Sequence, residues 1–306
     1  MDDFFRELDR RFQDGNLERI EGFLRDTLSR LEAEGRGESG EYASVLNEMA
    51  CFFRGVSRYA ESADAFERAL GLMERLGLEH SPQYATILVN CAGLYRLMRQ
   101  HERSAEMFLR AKALLERSGR QPAYAYVSVL NNLALVYQES GRLEEALSQV
   151  KEAMAYFRTQ PGSEHEVATT HSNLSAIYQR MDDLDAAERE IRNALSIYEA
   201  MDEPDDHHAA GLSTLAAIRA RRGEYGDAAR LLEQALELTD RFFGKNIDYA
   251  STEYSLGLIC EKLGDRGQAL EWMQKAIADL RRILGADHDR VKQWERELAD
   301  MQGTGA

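Results

Sequence analysis

Six stretches of this chain repeat one another at a nearly constant interval, and that period constrains the fold more than any other feature. YASVLNEMACFF, YATILVNCAGLY and YVSVLNNLALVY begin at Tyr42, Tyr84 and Tyr126; VATTHSNLSAIY, HAAGLSTLAAIR and YASTEYSLGLIC follow at Val167, His208 and Tyr249. The spacing is 42 residues among the first three and 41 thereafter. The only four prolines, Pro82, Pro122, Pro161 and Pro204, fall between copies. Proline breaks helix interiors, so its recurrence marks the loops of an otherwise helical array.

Three columns of small residues run through the copies. One reads Ala69, Ala111, Ala153, Ala194, Ala235, Ala276; a second reads Ala50, Ala92, Ala134, Ser175, Ala216, Gly257; a third reads Ser62, Ser104, Ala146, Ala187, Ala228, Ala269. In the third copy, Tyr126–Ser140 carries apolar residues at helical spacing, Gly141 interrupts it, and Leu143–Phe157 resumes the pattern. Two antiparallel helices on a tight turn must approach to ~8–9 Å to bury both apolar stripes, and a small residue on each permits that. One pair cannot close its own core, so pairs stack.

These residues resemble the tetratricopeptide repeat, whose first helix wants large–Leu–small–aromatic and whose second wants Ala, a large residue and Ala. Leu130, Leu133, Ala134, Tyr137, Ala146, Val150 and Ala153 fit that pattern in the third copy. The long period, the LNNLALVY string and the Leu284–His288 tail are similar to the repeats of kinesin light chains and their bacterial relatives. The resemblance implies an all-α, right-handed α-α superhelix of about seven helix pairs with a C-terminal capping helix. Residues 1–40 read as a degenerate repeat with Phe4, Leu8, Gly15, Leu17, Leu24 and Leu28 at core or turn positions, 42–285 as six full repeats, and 288–302 as the cap. Val291, Trp294, Leu298 and Met301 share one face of that last helix. The whole is expected to be a single solenoid domain.

The resemblance also implies that first helices line the concave surface. Their columns offer Asn47, Asn90, Asn131, Asn132 and Asn173, then Arg54, Arg96, Gln138, Gln179, Arg180, Arg221 and Lys262, as a peptide-binding set. A row of carboxamides can satisfy the N–H and C=O groups of an extended peptide. It can equally bond across to the adjacent helix, and both readings stand. The cations sit in a protein of net charge −15, so a basic hollow would favour an acidic protein or peptide partner. The alternative is that these are helix-end cations, favoured there by the backbone dipole. A clamp for a C-terminal carboxylate is disfavoured because its early column reads Ser44, Thr86, Ser128, Thr169, Ala210, Ser251.

The acidity argues against nucleic-acid or anionic-membrane binding. No apolar run suits a signal peptide or a membrane span, and three cysteines without paired spacing fit a reducing, cytoplasmic setting. No nucleophile, phosphate-loop or zinc motif is present, so neither enzymatic activity nor a cofactor is expected. The run Asp205–His208 reads as a solvated loop before a helix rather than a metal site, His171 as a satisfied interior imidazole, and Cys91 and Cys260 as core fillers. The expected function is a non-enzymatic scaffold that captures a partner segment in its groove. The alternative is a peptide-sensing receptor whose superhelix changes pitch. Self-association through terminal repeats, around Phe4, Phe5 and Phe12, is left open.

Overall fold

Seven left-handed turn residues set the architecture. Gly15, Ser57, Arg99, Gly141, Asp182, Gly223 and Gly264 all have φ between 59° and 85° and recur at the interval of the sequence repeat. Each ends a first helix in one residue of αL backbone, which reverses the chain tightly enough for a second helix to fold back on it. The computed structural model describes residues 1–119, 123–201 and 206–303. Pro122, Pro204, Asp205 and the last three residues lie outside them, and Pro82 stands in the first turn of its helix.

Among the described residues the chain forms fifteen helices and no strand. They pair as α1 (Asp2–Asp14) with α2 (Leu17–Ala33), α3 (Gly40–Gly55) with α4 (Tyr59–Arg75), α5 (Pro82–Leu97) with α6 (His101–Arg117), and α7 (Ala123–Glu139) with α8 (Leu143–Phe157). Then come α9 (Glu164–Arg180) with α10 (Leu184–Glu199), α11 (Asp206–Arg221) with α12 (Tyr225–Phe243), α13 (Ile247–Lys262) with α14 (Arg266–Leu284), and the unpaired α15 (Asp289–Gly303). The fold is an all-α solenoid of helix pairs. By internal contacts the chain gathers into two compact units, Met1–Ala153 and Met154–Ala306.

All three small-residue columns are buried, the alanines of the first at 0% exposure in every copy. The other two columns meet each other where the helices of a pair cross. Ser62 Oγ donates to the Ala50 carbonyl at 2.7 Å and Ser104 Oγ to the Ala92 carbonyl at 2.8 Å. In the fourth copy the donor changes sides, and Ser175 Oγ reaches the Ala187 carbonyl at 2.8 Å. A hydroxyl here satisfies itself on the partner backbone only because that backbone is so near.

Between pairs, local chemistry repeats as well. Ser39, Ser81 and Asn246 cap α3, α5 and α13 by accepting from the backbone N–H of Tyr42, Tyr84 and Tyr249. The Tyr42 and Tyr84 hydroxyls donate back to Glu32 and Glu74 at the end of the preceding second helix. The leading aromatic of a copy therefore pins it to the copy before.

The ends follow the register, with Leu17 the exception. Leu8, Leu24 and Leu28 are buried, but Leu17 is 53% exposed, because it opens α2 ahead of the buried stripe. Phe4 is not exposed: it stacks on Phe23 at 5.6 Å and is covered, whereas Phe5 and Phe12 point outward. At the other end Trp294 lies flat on Tyr254, rings 4.2 Å apart and 12° from parallel. With Val291 it closes the last core cluster, and Leu298 and Met301 pack beside them. No helix among the described residues is long and apolar enough to cross a membrane.

Candidate functional site: the first-helix face

Within the first unit α3 touches α5 and α5 touches α7; within the second, α9 touches α11 and α11 touches α13. Contacts of that extent between α4 and α6, α10 and α12, or α12 and α14 do not occur among the described residues. First helices are crowded and second helices spread, so the first-helix face is the inner face of each unit.

The expected binding residues divide into those already engaged and those still available. Asn47 is buried; its Nδ2 donates to Glu48 Oε1 at 3.0 Å and its Oδ1 accepts from Asn90 Nδ2 at 3.1 Å. Asn132 donates to the Ser128 carbonyl of its own helix at 2.8 Å. Asn47, Asn90 and Asn132 thus all bond within the repeats. Asn131 is different: its Oδ1 is buried and has no partner. Asn173, Gln138 and Gln179 are half-buried on the same face.

The cations divide in the same way. Arg54 Nη1 donates to the Asn90 carbonyl of the next copy at 2.9 Å, and Arg221 Nη1 to the Gln179 carbonyl of the previous one at 2.9 Å. Arg221 also pairs with Asp182. Arg96 pairs with Glu139 at 2.6 Å, and His101 adds its ring at 3.7 Å from that carboxylate. Arg180 and Lys262 are exposed and make no ion pair among the described residues. Three of the five cations thus cap carbonyls or neutralise acids between repeats, and much of the basic character expected of this face is cancelled.

Two open clefts lie on this face. One, of about 330 Å3, opens between α5, α6 and α7, where Ala85, Thr86 and Val89 face Ser128 over a floor of Leu115. The other, of about 340 Å3, opens between α11, α12 and α13, where Ala209, Ala210 and Ser213 face Ser251 over Thr239. In repeat register these are the same positions three copies apart, each wholly inside one unit. Leu135 and Leu258, also equivalent to each other, are 43% and 40% exposed.

Sequence reasoning used the early column Thr86, Ser128, Ala210, Ser251 only to dismiss a carboxylate clamp, and it passed over Leu135 and Leu258. Counting one further column along the first helix, from Cys51 through Leu135 to Leu258, would have found the exposed leucines. The floor residues gave no such signal, because they come from second helices.

Among the described residues no group of three or more His, Cys, Asp or Glu could hold a metal ion. His207 lies near His165, ring centroids 5.2 Å apart, and His208 stacks on Tyr198. His171 Nδ1 is 2.6 Å from Glu190 Oε2, the satisfied interior imidazole expected. Cys91 and Cys260 are buried, and burial pushes the Cys51 thiol up to about 11, away from nucleophilic reactivity.

Paired antiparallel helices, stacked with small residues at each crossing and ended by a capping helix, define a helical-repeat protein. The chain belongs to the tetratricopeptide-repeat family: the model of the MalT-like TPR region matches residues 85–298, and a tetratricopeptide-repeat model matches residues 41–117. Comparison with the curated proteins finds no match. Among solved structures, a tetratricopeptide repeat protein from Parabacteroides merdae is similar at TM-score 0.64 and 14% identity, covering 97% of this chain and 98% of that one. BtubC (BKLC) from P. vanneervenii is similar at TM-score 0.62 and 19% identity, covering 73% and 91%. TPR-like repeats of a kinesin-light-chain-type protein from Podospora anserina are similar at 0.53 and 18%, covering 64% and 94%. These likenesses are of fold.

Proposed function

We propose that the protein is a non-enzymatic scaffold that captures a segment of a partner protein on the first-helix face of its repeats. One observation carries the reading. On this inner face two open clefts stand at equivalent repeat positions, and the first helices α7 and α13 that line them also carry exposed Leu135 and Leu258. Apolar side chains left in water on the concave side of a repeat array are the usual mark of a contact surface. The exposed Arg180 and Lys262 supply polar contacts on the same face.

The earlier case for an acidic partner is correspondingly weaker, since Arg54, Arg96 and Arg221 serve the repeats themselves. A neutral segment with apolar anchors fits better. The test is a random peptide library displayed on phage, selected against the purified full chain. A peptide so selected should lose at least ten-fold in affinity for Leu135→Glu combined with Arg180→Glu, with the melting temperature held within a few degrees, because both residues are surface-exposed. Undiminished binding to that variant would place the contact elsewhere.

A further inference from the structure

We infer that the protein has two equivalent ligand sites, one in each unit, and that each takes an apolar side chain flanked by N–H donors. This rests on the reading of the first-helix face as the contact surface, and specifies what that face recognises and how many times.

The equivalence follows from what fills the corresponding place elsewhere. Four residues after the buried alanine of a second helix stand Met73, Leu115, Phe157, Tyr198, Thr239 and Leu280. Tyr198 is 3% exposed, and its hydroxyl lies 3.4 Å from Thr169 Oγ1, in the column of Thr86 and Ala210. The phenol therefore spans the space that is open above Leu115 and Thr239. Between the first two full copies, buried Asn47 occupies the column of Val89 and Ser213 and is tied to Asn90. At Tyr198 and at Asn47 a long or bonded side chain takes the space, and above Leu115 and Thr239 it stays open. Their volumes, about 330 and 340 Å3, lie at the small end for ligand sites, the scale of one side chain with its peptide groups.

The ligand chemistry comes from hydrogen-bond accounting. Thr86, Thr239, Ser251, Thr252 and Ser255 each donate their hydroxyl to the carbonyl four residues earlier on their own helix. Ser118 donates to the Leu115 carbonyl. A hydroxyl has a single proton, so these side chains offer oxygen lone pairs rather than a donor, although Ser251 Oγ already accepts from Arg290 Nη2 at 2.9 Å. Asn90 has given one of its two Nδ2 hydrogens to Asn47, and its Oδ1 remains as an acceptor. The second cleft adds the Asp248 carboxylate. Most of the wall hydroxyls are spent on backbone carbonyls and so accept, around Leu115 in one cleft and Thr239 with Asp248 in the other; with the net charge of −15 this favours an amide- or ammonium-bearing aliphatic group over a carboxylate.

The experiment uses L-leucinamide as the probe and N-acetyl-L-leucine as its anionic counterpart, followed by backbone amide NMR of the full chain. Leucinamide should shift two groups of resonances, around Thr86 and Ser128 and around Ala210 and Ser251, and bind at least ten-fold tighter than the carboxylate. Leu115→Tyr should erase the first group alone, and Thr239→Tyr the second alone. Where a tyrosine disturbs folding, Val89→Asn and Ser213→Asn close the same clefts from the first helix, as Asn47 does. One group of shifts, none, shifts that survive their own plug, or equal affinity for N-acetyl-leucine would each overturn the inference. The selected peptide keeps the two claims apart. If it still binds the doubly plugged protein but not the Leu135/Arg180 variant, the clefts are not the site while the contact face stands. Probe binding by both clefts with no peptide recognition of the face leaves the sites and removes the scaffold reading.

Discussion

At the scale of the residue, Arg99 and Glu253 stand where the repeat prefers something else. Arg99 occupies the left-handed turn position with φ 59°, where the same turn in four other pairs uses glycine. A side chain in that conformation costs about 1 kcal/mol, which glycine avoids. Arg99→Gly is therefore expected to stabilise by about 0.5–1 kcal/mol, read as a rise in the denaturant midpoint; a fall would show that the arginine side chain contributes more than its backbone costs. Glu253 stands in the column of Leu46, Leu88, Leu130 and Leu212, is 1% exposed, and leaves Oε2 without a partner. Burial first, then the Asp279 carboxylate, raise its pKa from 4.5 to about 7 against the opposing pull of Lys245 and Lys275. A carboxyl with a raised folded pKa favours the native state below the unfolded value and loses that advantage as pH climbs through the folded one. Stability should decline between about pH 5 and pH 8, by up to about 3 kcal/mol from this group. Glu253→Leu should flatten the pH profile and raise the melting temperature at pH 8. A variant that melts lower at pH 8 would contradict this account.

At the scale of the element, the helix pair is the unit whose geometry is most exacting. Gly257 shows why: a Cβ there would sit 2.7 Å from Met273 Cγ and 3.1 Å from the Ala269 carbonyl oxygen. The Met273 side chain can move, but the backbone carbonyl cannot without separating α13 from α14. Gly257→Ala is expected to cost about 1–3 kcal/mol despite adding only a methyl, measured by chemical denaturation. A neutral result would mean the pair slides apart without penalty. The same column tolerates alanine in four other copies, so the demand belongs to this crossing. Sequence periodicity located the crossing; the coordinates showed how little room it has. Helix limits were equally legible, because caps such as Ser39 and Asn246 and the turn glycines act on backbone within a few residues. Phe4 is buried as its register position implies, whereas Leu17, read as a core or turn position, is exposed because register alone cannot say which side of a terminal pair is covered.

At the scale of the whole molecule, period, small columns and polar rows identified a tetratricopeptide repeat protein, and most of its core was legible residue by residue. The proposed contact face was legible only as a set of columns. Asn47, Asn90, Arg54 and Arg221 share columns with residues that are available, yet all four are engaged with a copy about forty residues away. Nothing in their local spacing separates them from Asn131 or Arg180. The sequence by itself determined that the chain forms helix pairs, where they turn and which residues they bury, because helix periodicity, turn backbone and crossing volume are short-range properties written once per copy. Only the tertiary structure decided which polar groups are already satisfied and where the first-helix face stays open, because both depend on side chains arriving from a neighbouring repeat at an angle no linear pattern encodes.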